Sequence, residues 1–394
     1  MAILRNQNTA MLKALIVCLL AVLLASLCMC GSGASSTAST LAQTSGSGTS
    51  GSPDTPGGAP SGSSGDSGSS GGSSGASSAG SGGGASATPS GFPSSDHVFV
   101  VMLENQDFSQ VFPSGGATSC SSAGMPYLCT LAQSSGGIAT HFYSNAHGSL
   151  LAYLFNTSGA DWRQKPYDCT GSGCASSGVI KGENIVSALT SMSKSWRGYF
   201  ESMPSCGFLG KTSGNYNADH NPFKWYANVA DTPSERDNMC PFTQLSIDIN
   251  GNALPNFGYI VPNEADDAEG TGGQSARTLL LKADNWLESN LAQLLSTEPF
   301  QPGGDGILIV TFDEGRVKGK SGDSSSDDAC SPTQSSGCGG HVAFVMIGPN
   351  VPSGSVATAT YHFQDMLHTI IHLLGLTEYP NEANGAADID LFGN

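Results

Sequence analysis

HVFVVMLENQDF, His97 to Phe108, decides the reading of this chain. Val98 to Leu103 is a short, valine-rich apolar run reached from a polar, glycine-rich approach, which predicts a buried strand rather than a helix. Glu104 and Asn105 follow it directly, and in an open α/β sheet sites are built at such strand ends. ILIVTFDEG, Ile307 to Gly315, repeats the arrangement: six apolar or β-prone residues, then Asp313 and Glu314, then a glycine that lets the chain turn. Each of the two strands delivers a pair of oxygen-bearing side chains, a ligand type that suits a divalent cation. Read alone, Asp313 and Glu314 would suit a solvated turn better, a common use of acidic residues.

Working outward, GGIATHFYSNAHGSLLAYLFNTSGA predicts a strand over Ile138 to Tyr143, a turn at Asn145 to Gly148, and a helix opened by Ser149. A serine there has an ordinary role as N-cap. It also has a chemical one, because the N–H groups and dipole of a helix start favour an anion beside the hydroxyl. Asn184 to Met192, Trp196 to Met203 and PFKWYANV after Asn221 are expected to be helical. FGYIVP, Phe257 to Pro262, is expected as a short strand running into the acidic loop NEADDAEG. Ala276 to Leu295 is amphipathic, with Leu279, Ala283, Trp286, Leu287, Leu291 and Leu294 at helical spacing. HVAFVMIGP predicts a strand after the insertion Lys318 to Gly340, and Met366 to Leu374 a closing helix. The alternation implies an α/β fold, a mainly parallel central sheet with helices on both faces. No internal repeat is visible.

The ends of the chain carry different information. In residues 1–30, Arg5 and Lys13 precede an apolar segment, Ala14 to Leu27, too short to span a membrane comfortably, and the whole reads as a signal peptide. Cys30 is a candidate lipid anchor, although Met29 before it is larger than a lipoprotein site prefers; membrane attachment is expected only through it. Residues 31–95 are almost entirely Ser, Gly, Ala, Thr and Pro, with no aromatic residue before Phe92, and are expected to be a disordered tether. Residues 96–394, about 300 in number, are long enough for one large α/β domain.

The net charge is −17. Arg5 and Lys13 are the only basic and Asp54 and Asp66 the only acidic residues before Ser95, so the imbalance belongs to the domain. Such a surface argues against nucleic acid, which demands clustered Lys and Arg. An anionic substrate would need local help, most simply from a metal. Cys120, Cys129, Cys169, Cys174, Cys206, Cys240, Cys330 and Cys338 lie in the domain; in an exported protein they suggest disulfides, with nearest-neighbour pairing expected. A zinc cluster is the weaker reading, since no tight CxxC element occurs.

MLENQDF, HGSLLAYLFNTSG, SWRGYFESMP, DHNPF, FGYIVPN, ADNWL, VTFDEG, GGHVAFVMIGP and QDMLHTIIHLLGL stand in one order through residues 97 to 376. In these segments the domain resembles the phosphoesterase family of bacterial and fungal acid phosphatases and bacterial phospholipases C, whose fold is similar to that of alkaline phosphatase. The resemblance implies that Glu104, Asn105, Asp313 and Glu314 hold a catalytic divalent metal of unspecified identity. It implies that Ser149 is a nucleophile passing through a phosphoserine, activated by the metal. His341, His220 and His147, in that order of preference, match site histidines, whereas His362, His368 and His372 read as structural or surface residues. The implied activity is that of a secreted or cell-envelope metal-dependent acid phosphatase acting on phosphate monoesters. A phospholipase C-type diesterase is the alternative.

Three departures surround this pattern. Leu151 and Ala152 stand where relatives have proline and asparagine, Glu269 where a histidine is usual beside the retained Asp267, and Phe363 where relatives often carry histidine. They leave open an active branch with altered preference, a decayed catalyst serving as a binding module, or an adhesive domain displayed on the Ser/Gly stalk.

Overall fold

The structure, a computed structural model, describes residues 92–162, 180–270, 273–316 and 339–393. The expected signal segment, Cys30 and nearly all of the tether lie outside these residues. So do Cys169, Cys174, Cys330 and Cys338.

The apolar runs become strands of one eight-stranded sheet: β1 Val98–Leu103, β2 Gly136–Tyr143, β3 Trp196–Phe200, β4 Met239–Pro241, β5 Phe257–Val261, β6 Ile307–Phe312, β7 His341–Ile347 and β8 Ser355–His362. Their order is β4-β3-β5-β1-β6-β7-β2-β8, which puts β1 and β6 side by side near the middle. Every adjacent pair is parallel except β6 with β7 and β2 with β7, so β7 alone runs against the rest. All residues of β1, β5 and β6 are buried, so both faces of the sheet are covered there, as continuous apolar strands require.

Helices α1 Pro126–Ser135, α2 Ser149–Ser158, α3 Ile185–Ser191, α4 Gln244–Asn250, α5 Ala276–Leu295 and α6 Phe363–Leu373 supply much of that cover. α5 has the expected limits, and its buried stripe contains the six residues named from helical spacing. Pro126 opens α1, where a missing N–H costs nothing. Buried Asp284 of α5 then accepts from Tyr127 N at 2.8 Å and Leu128 N at 2.9 Å, satisfying two amides that the helix start leaves without partners.

Several expectations need correcting. Trp196 to Phe200 is a strand, not a helix: it is flanked by β5 and β4, which pair with it on both sides. A Cβ on Gly198 would lie 2.5 Å from the Phe200 ring, so glycine there reflects close packing. PFKWYANV breaks into a 3₁₀ turn, Phe223–Trp225, and a single helical turn, Ala227–Ala230, with extended Tyr226 between them. Edge strands β4 and β8 and helices α1 and α4 were not anticipated. The packed chain also begins before Ser95: Phe92 stacks on His372 and meets Phe392, and Ser95 N–H donates to Leu373 O at 2.7 Å. Cys120–Cys129 and Cys206–Cys240 are disulfides between nearest neighbours. No helix among the described residues is long and apolar enough to cross a membrane.

Candidate active site

β1 and β6 are in register through Leu103 and Phe312, so Glu104 and Asp313 leave the sheet side by side. The two strand ends are stitched together: Asp313 N–H donates to Leu103 O at 2.9 Å, and Asn105 N–H to Asp313 Oδ1 at 3.1 Å. Glu314 N–H donates to the same Oδ1 at 2.6 Å. Asn105 makes this turn with φ 46°, the left-handed region that asparagine tolerates better than most side chains. A third strand end joins them, since Glu104 N–H donates to Asp267 O, in the loop after β5, at 2.8 Å.

Helix α2 faces this cluster. Its N-cap is Gly148, at φ 102°, and Ser149 is the first helical residue, so the expected capping role of Ser149 does not hold. The Ser149 hydroxyl instead donates to Glu104 Oε2 at 3.1 Å. Tyr153, one turn along the same helix face, donates to Glu104 Oε1 at 2.5 Å. The His220 ring stacks on Tyr153 at 5.4 Å and 3°, bringing its Nδ1 to 3.5 Å from Glu104 Oε1 and 3.9 Å from Asp267 Oδ2. On the other side, Glu314 Oε2 accepts from Gly148 N–H at 2.8 Å and meets His147 Nδ1 at 2.6 Å. Glu314 therefore holds the turn that presents Ser149.

Glu104, Asp267 and Asp313 are each 0 % exposed. Burial drives the Glu104 carboxyl well above its usual range, with Asp313 and Asp267 adding repulsion. Burial does the same to Asp313, reinforced by Glu314. Asp267 is raised to about 7, again chiefly by burial. The His220 imidazole is pushed down to about 4 by burial, so it is neutral near pH 7 and its approach to Glu104 is not an ion pair. Asn105 Oδ1, Asp267 Oδ2 and Asp313 Oδ2 are buried without a hydrogen-bond partner among the described residues. An orphaned buried polar atom costs about 1–3 kcal/mol, and three at neighbouring strand ends are oxygens that a cation would satisfy. Glu104, His220 and Glu269 add a second constellation, each offering a ligand atom within 4.8 Å of the others. This donor set, oxygen-rich with one neutral imidazole, fits a divalent metal.

A cleft of about 270 Å³ opens beside Ser149, lined by Gly148, Leu151, Asn217, His220 and Glu269 among others. The structure thus gathers Glu104, Asn105, Asp313, Glu314, Ser149, His147 and His220 into one site. His341 is placed differently: at the start of β7 its ring stacks on Phe108 and Tyr143, and its Nε2 meets Thr140 O at 2.8 Å. Of the departing positions, Ala152 and Phe363 are both 0 % exposed, whereas Glu269 lines the cleft. Tyr153 and Asn217 were missed from sequence. Tyr153 could have been suspected from its i+4 spacing to Ser149. Asn217, whose Nδ2 donates to Glu264 Oε1 at 3.0 Å and lies 3.2 Å from His220 Nε2, has no local signal.

Comparison with known proteins bears on this geometry. A probable acid phosphatase of Kluyveromyces lactis is 27 % identical over 228 residues, covering 56 % of this chain and 48 % of that protein. The chain thus spans about half the length of that relative. A phosphatidylinositol-3-phosphatase of Mycobacterium tuberculosis is 23 % identical over 305 residues, covering 77 % of this chain and 85 % of that protein. Among solved structures, an alkaline phosphatase superfamily protein of Vibrio parahaemolyticus aligns with a TM-score of 0.46 at 15 % identity, over 75 % of this chain and 71 % of that one. The Phosphoesterase family matches residues 118–377, a span holding Ser149, His220, Asp267, Asp313 and Glu314, while Glu104 and Asn105 precede it. With most of its candidate site inside so long a match, this chain belongs to the phosphoesterase family.

Proposed function

We propose that the protein is a metal-dependent phosphoesterase of the acid phosphatase type, hydrolysing phosphate monoesters through a phosphoserine on Ser149. One observation carries the reading: a serine hydroxyl at a helix start donates to a fully buried carboxylate, Glu104 Oε2, at 3.1 Å. Glu104 Oε2 accepts the Ser149 hydrogen bond and so orients the hydroxyl, and a divalent ion held beside it would supply the positive charge that lets Ser149 lose its proton. The freed Oγ attacks phosphorus, the ester oxygen leaves with the alcohol, and Ser149 carries the phosphoryl group. Water then cleaves the Oγ–P bond, releasing inorganic phosphate and restoring the hydroxyl. The Ser149 and Leu150 amides, at the open start of α2, would be available to the phosphoryl oxygens.

Glu104, Asn105 and Asp313, with Asp267 and His220 beside them, would hold the divalent ion. When bound, it supplies charge neutralisation to the clustered carboxylates and polarises the phosphoryl group. Glu314 and His147 hold the turn at Gly148 and so aim Ser149. The likeness to a probable acid phosphatase supports a phosphomonoester over a diester. The basic, apolar leader and the disulfides support export through an oxidising compartment.

The test is direct trapping. Brief incubation with a labelled aryl phosphate and acid quench should leave label on the peptide containing Ser149, and chelation should abolish turnover. Ser149→Ala should reduce kcat by on the order of 10³ or more while the fold is retained, since Gly148, not Ser149, is the cap. A fully active Ser149→Ala protein would exclude this mechanism. Faster cleavage of a bis-aryl diester than of the matching monoester would overturn the substrate class.

A further inference from the structure

At the C-terminal end of α6, His368 and His372 are one turn apart on one helix face, and Asp388, from the segment that follows, lies against both. His372 Nδ1 is 2.8 Å from Asp388 Oδ2, and His368 Nε2 is 3.8 Å from Asp388 Oδ1. Each of the three residues offers one ligand atom, all within 4.8 Å of one another. A tetrahedral ion with bonds of about 2.0–2.1 Å spaces its ligand atoms by about 3.3 Å, so small side-chain movements would close this set around a metal.

Two further observations point to a ligand. Asp388 Oδ1 is buried and has no hydrogen-bond partner among the described residues, although the other oxygen of the same carboxylate is paired with His372. The His368 ring is also oriented: its Nδ1 lies 2.8 Å from Ala383 O, and a carbonyl can only accept, so Nδ1 carries a hydrogen and Nε2 is the nitrogen that faces Asp388. A backbone carbonyl orienting one ring nitrogen while the other faces a ligand is the usual outer support of a metal-binding histidine. Tyr379 lies over the His368 ring at 4.5 Å and Phe92 stacks on His372 at 4.5 Å, so both imidazoles are held in place. The side chains of His368, His372 and Asp388 are 18 %, 38 % and 26 % exposed, which leaves an entry path and room for water as a further ligand.

We propose that His368, His372 and Asp388 form a second metal site, separate from the strand-end carboxylates, that takes a divalent transition ion of the zinc class. Two imidazoles with one carboxylate select zinc or its borderline neighbours over magnesium or calcium, which prefer all-oxygen sets. The ion would clip the segment after α6 to the helix. The strand-end cluster differs in kind, since it offers mainly carboxylate and amide oxygens with a single imidazole.

The experiment uses the full chain, stripped with a chelator, dialysed, and titrated with zinc chloride alone while bound metal is counted. In a Glu104→Gln/Asp313→Asn background one equivalent of zinc should remain. It should be lost, or weakened by more than about 10-fold, when Asp388→Asn or His372→Gln is added. Asp388→Asn is isosteric and His372→Gln retains a polar side chain, so a circular dichroism spectrum unchanged from the background confirms that folding is intact. In the otherwise wild-type chain, aryl phosphate turnover should be preserved in both variants. Zinc stoichiometry and affinity unchanged by both substitutions would overturn the proposal. So would loss of all zinc in the Glu104→Gln/Asp313→Asn background alone.

Discussion

The ends of β1 and β6 carry the same kind of sequence, an apolar run closed by an acidic or amide pair, yet they hold their carboxylates by different means. At the end of β6, backbone amides do the holding: Asp313 Oδ1 accepts from Asn105 and Glu314, and Glu314 Oε2 accepts from Gly148. At the end of β1, Glu104 is held by two side-chain hydroxyls, Ser149 and Tyr153. Backbone donors cannot leave without unfolding a turn, whereas a serine hydroxyl can exchange partners by one bond rotation. Adjacent strands thus provide a fixed half and a movable half of one site, and the proposed nucleophile belongs to the movable half.

The comparison can be broken most forcefully at Glu104. Glu104→Gln keeps the shape but removes a proposed ligand charge beside Ser149, and kcat should fall by on the order of 10²–10⁴; a loss below about tenfold would remove Glu104 from the proposed machinery. The next largest effect is expected on the fixed half. Glu314→Gln weakens the hold on Gly148 and His147 and lets Ser149 drift, for which a loss of about 100-fold is reasonable, and kcat should suffer more than KM. If only KM changed, Glu314 would be contacting substrate rather than fixing the turn.

Tyr153→Phe should be milder. It removes one of the two hydroxyls on Glu104 while Ser149 stays, so we expect a stability loss of about 1–2 kcal/mol in thermal unfolding with metal present. Turnover should remain within about tenfold of wild type. The smallest effect carries the most telling sign. In chelator, Asp313→Asn should raise the melting temperature by a few degrees, about 1 kcal/mol, because it removes one of several mutually repelling buried charges and leaves Oδ1 to accept the same two amides. With metal restored, the order should reverse. A variant less stable than wild type in chelator would show that the carboxylates do not repel in the metal-free protein.

Much of this site was legible because its signals are local. A valine-rich run ending in Glu104-Asn105, and a second ending in Asp313-Glu314, place their side chains at the sheet edge whatever the rest of the chain does. Ser149 was legible as a position but ambiguous as a role, since capping and nucleophilic serines share a helix start; Gly148, whose backbone takes the cap, removes the capping reading. Trp196 to Met203 reads as helical because eight residues are too few to fix a period, and the strand character of Trp196–Phe200 comes from neighbours that pair with it across the sheet. Asn217 approaches His220 through a turn of irregular backbone, and His372 meets Asp388 across the loop after α6. Such meetings are set by tertiary packing, which local periodicity does not encode.

The reversal of β7 has a practical consequence. Because β7 runs against β6, the chain leaves β6 and re-enters the sheet at the same end of the strands, and the two stems are joined where Gly315 N–H donates to Gly339 O at 2.6 Å. A segment whose two ends already meet adds little closure entropy when lengthened, roughly 0.6 kcal/mol for each doubling. The paired glycines are therefore a grafting port: sequences of different length could be joined there at small cost in stability, with the sheet and Ser149 left as they are.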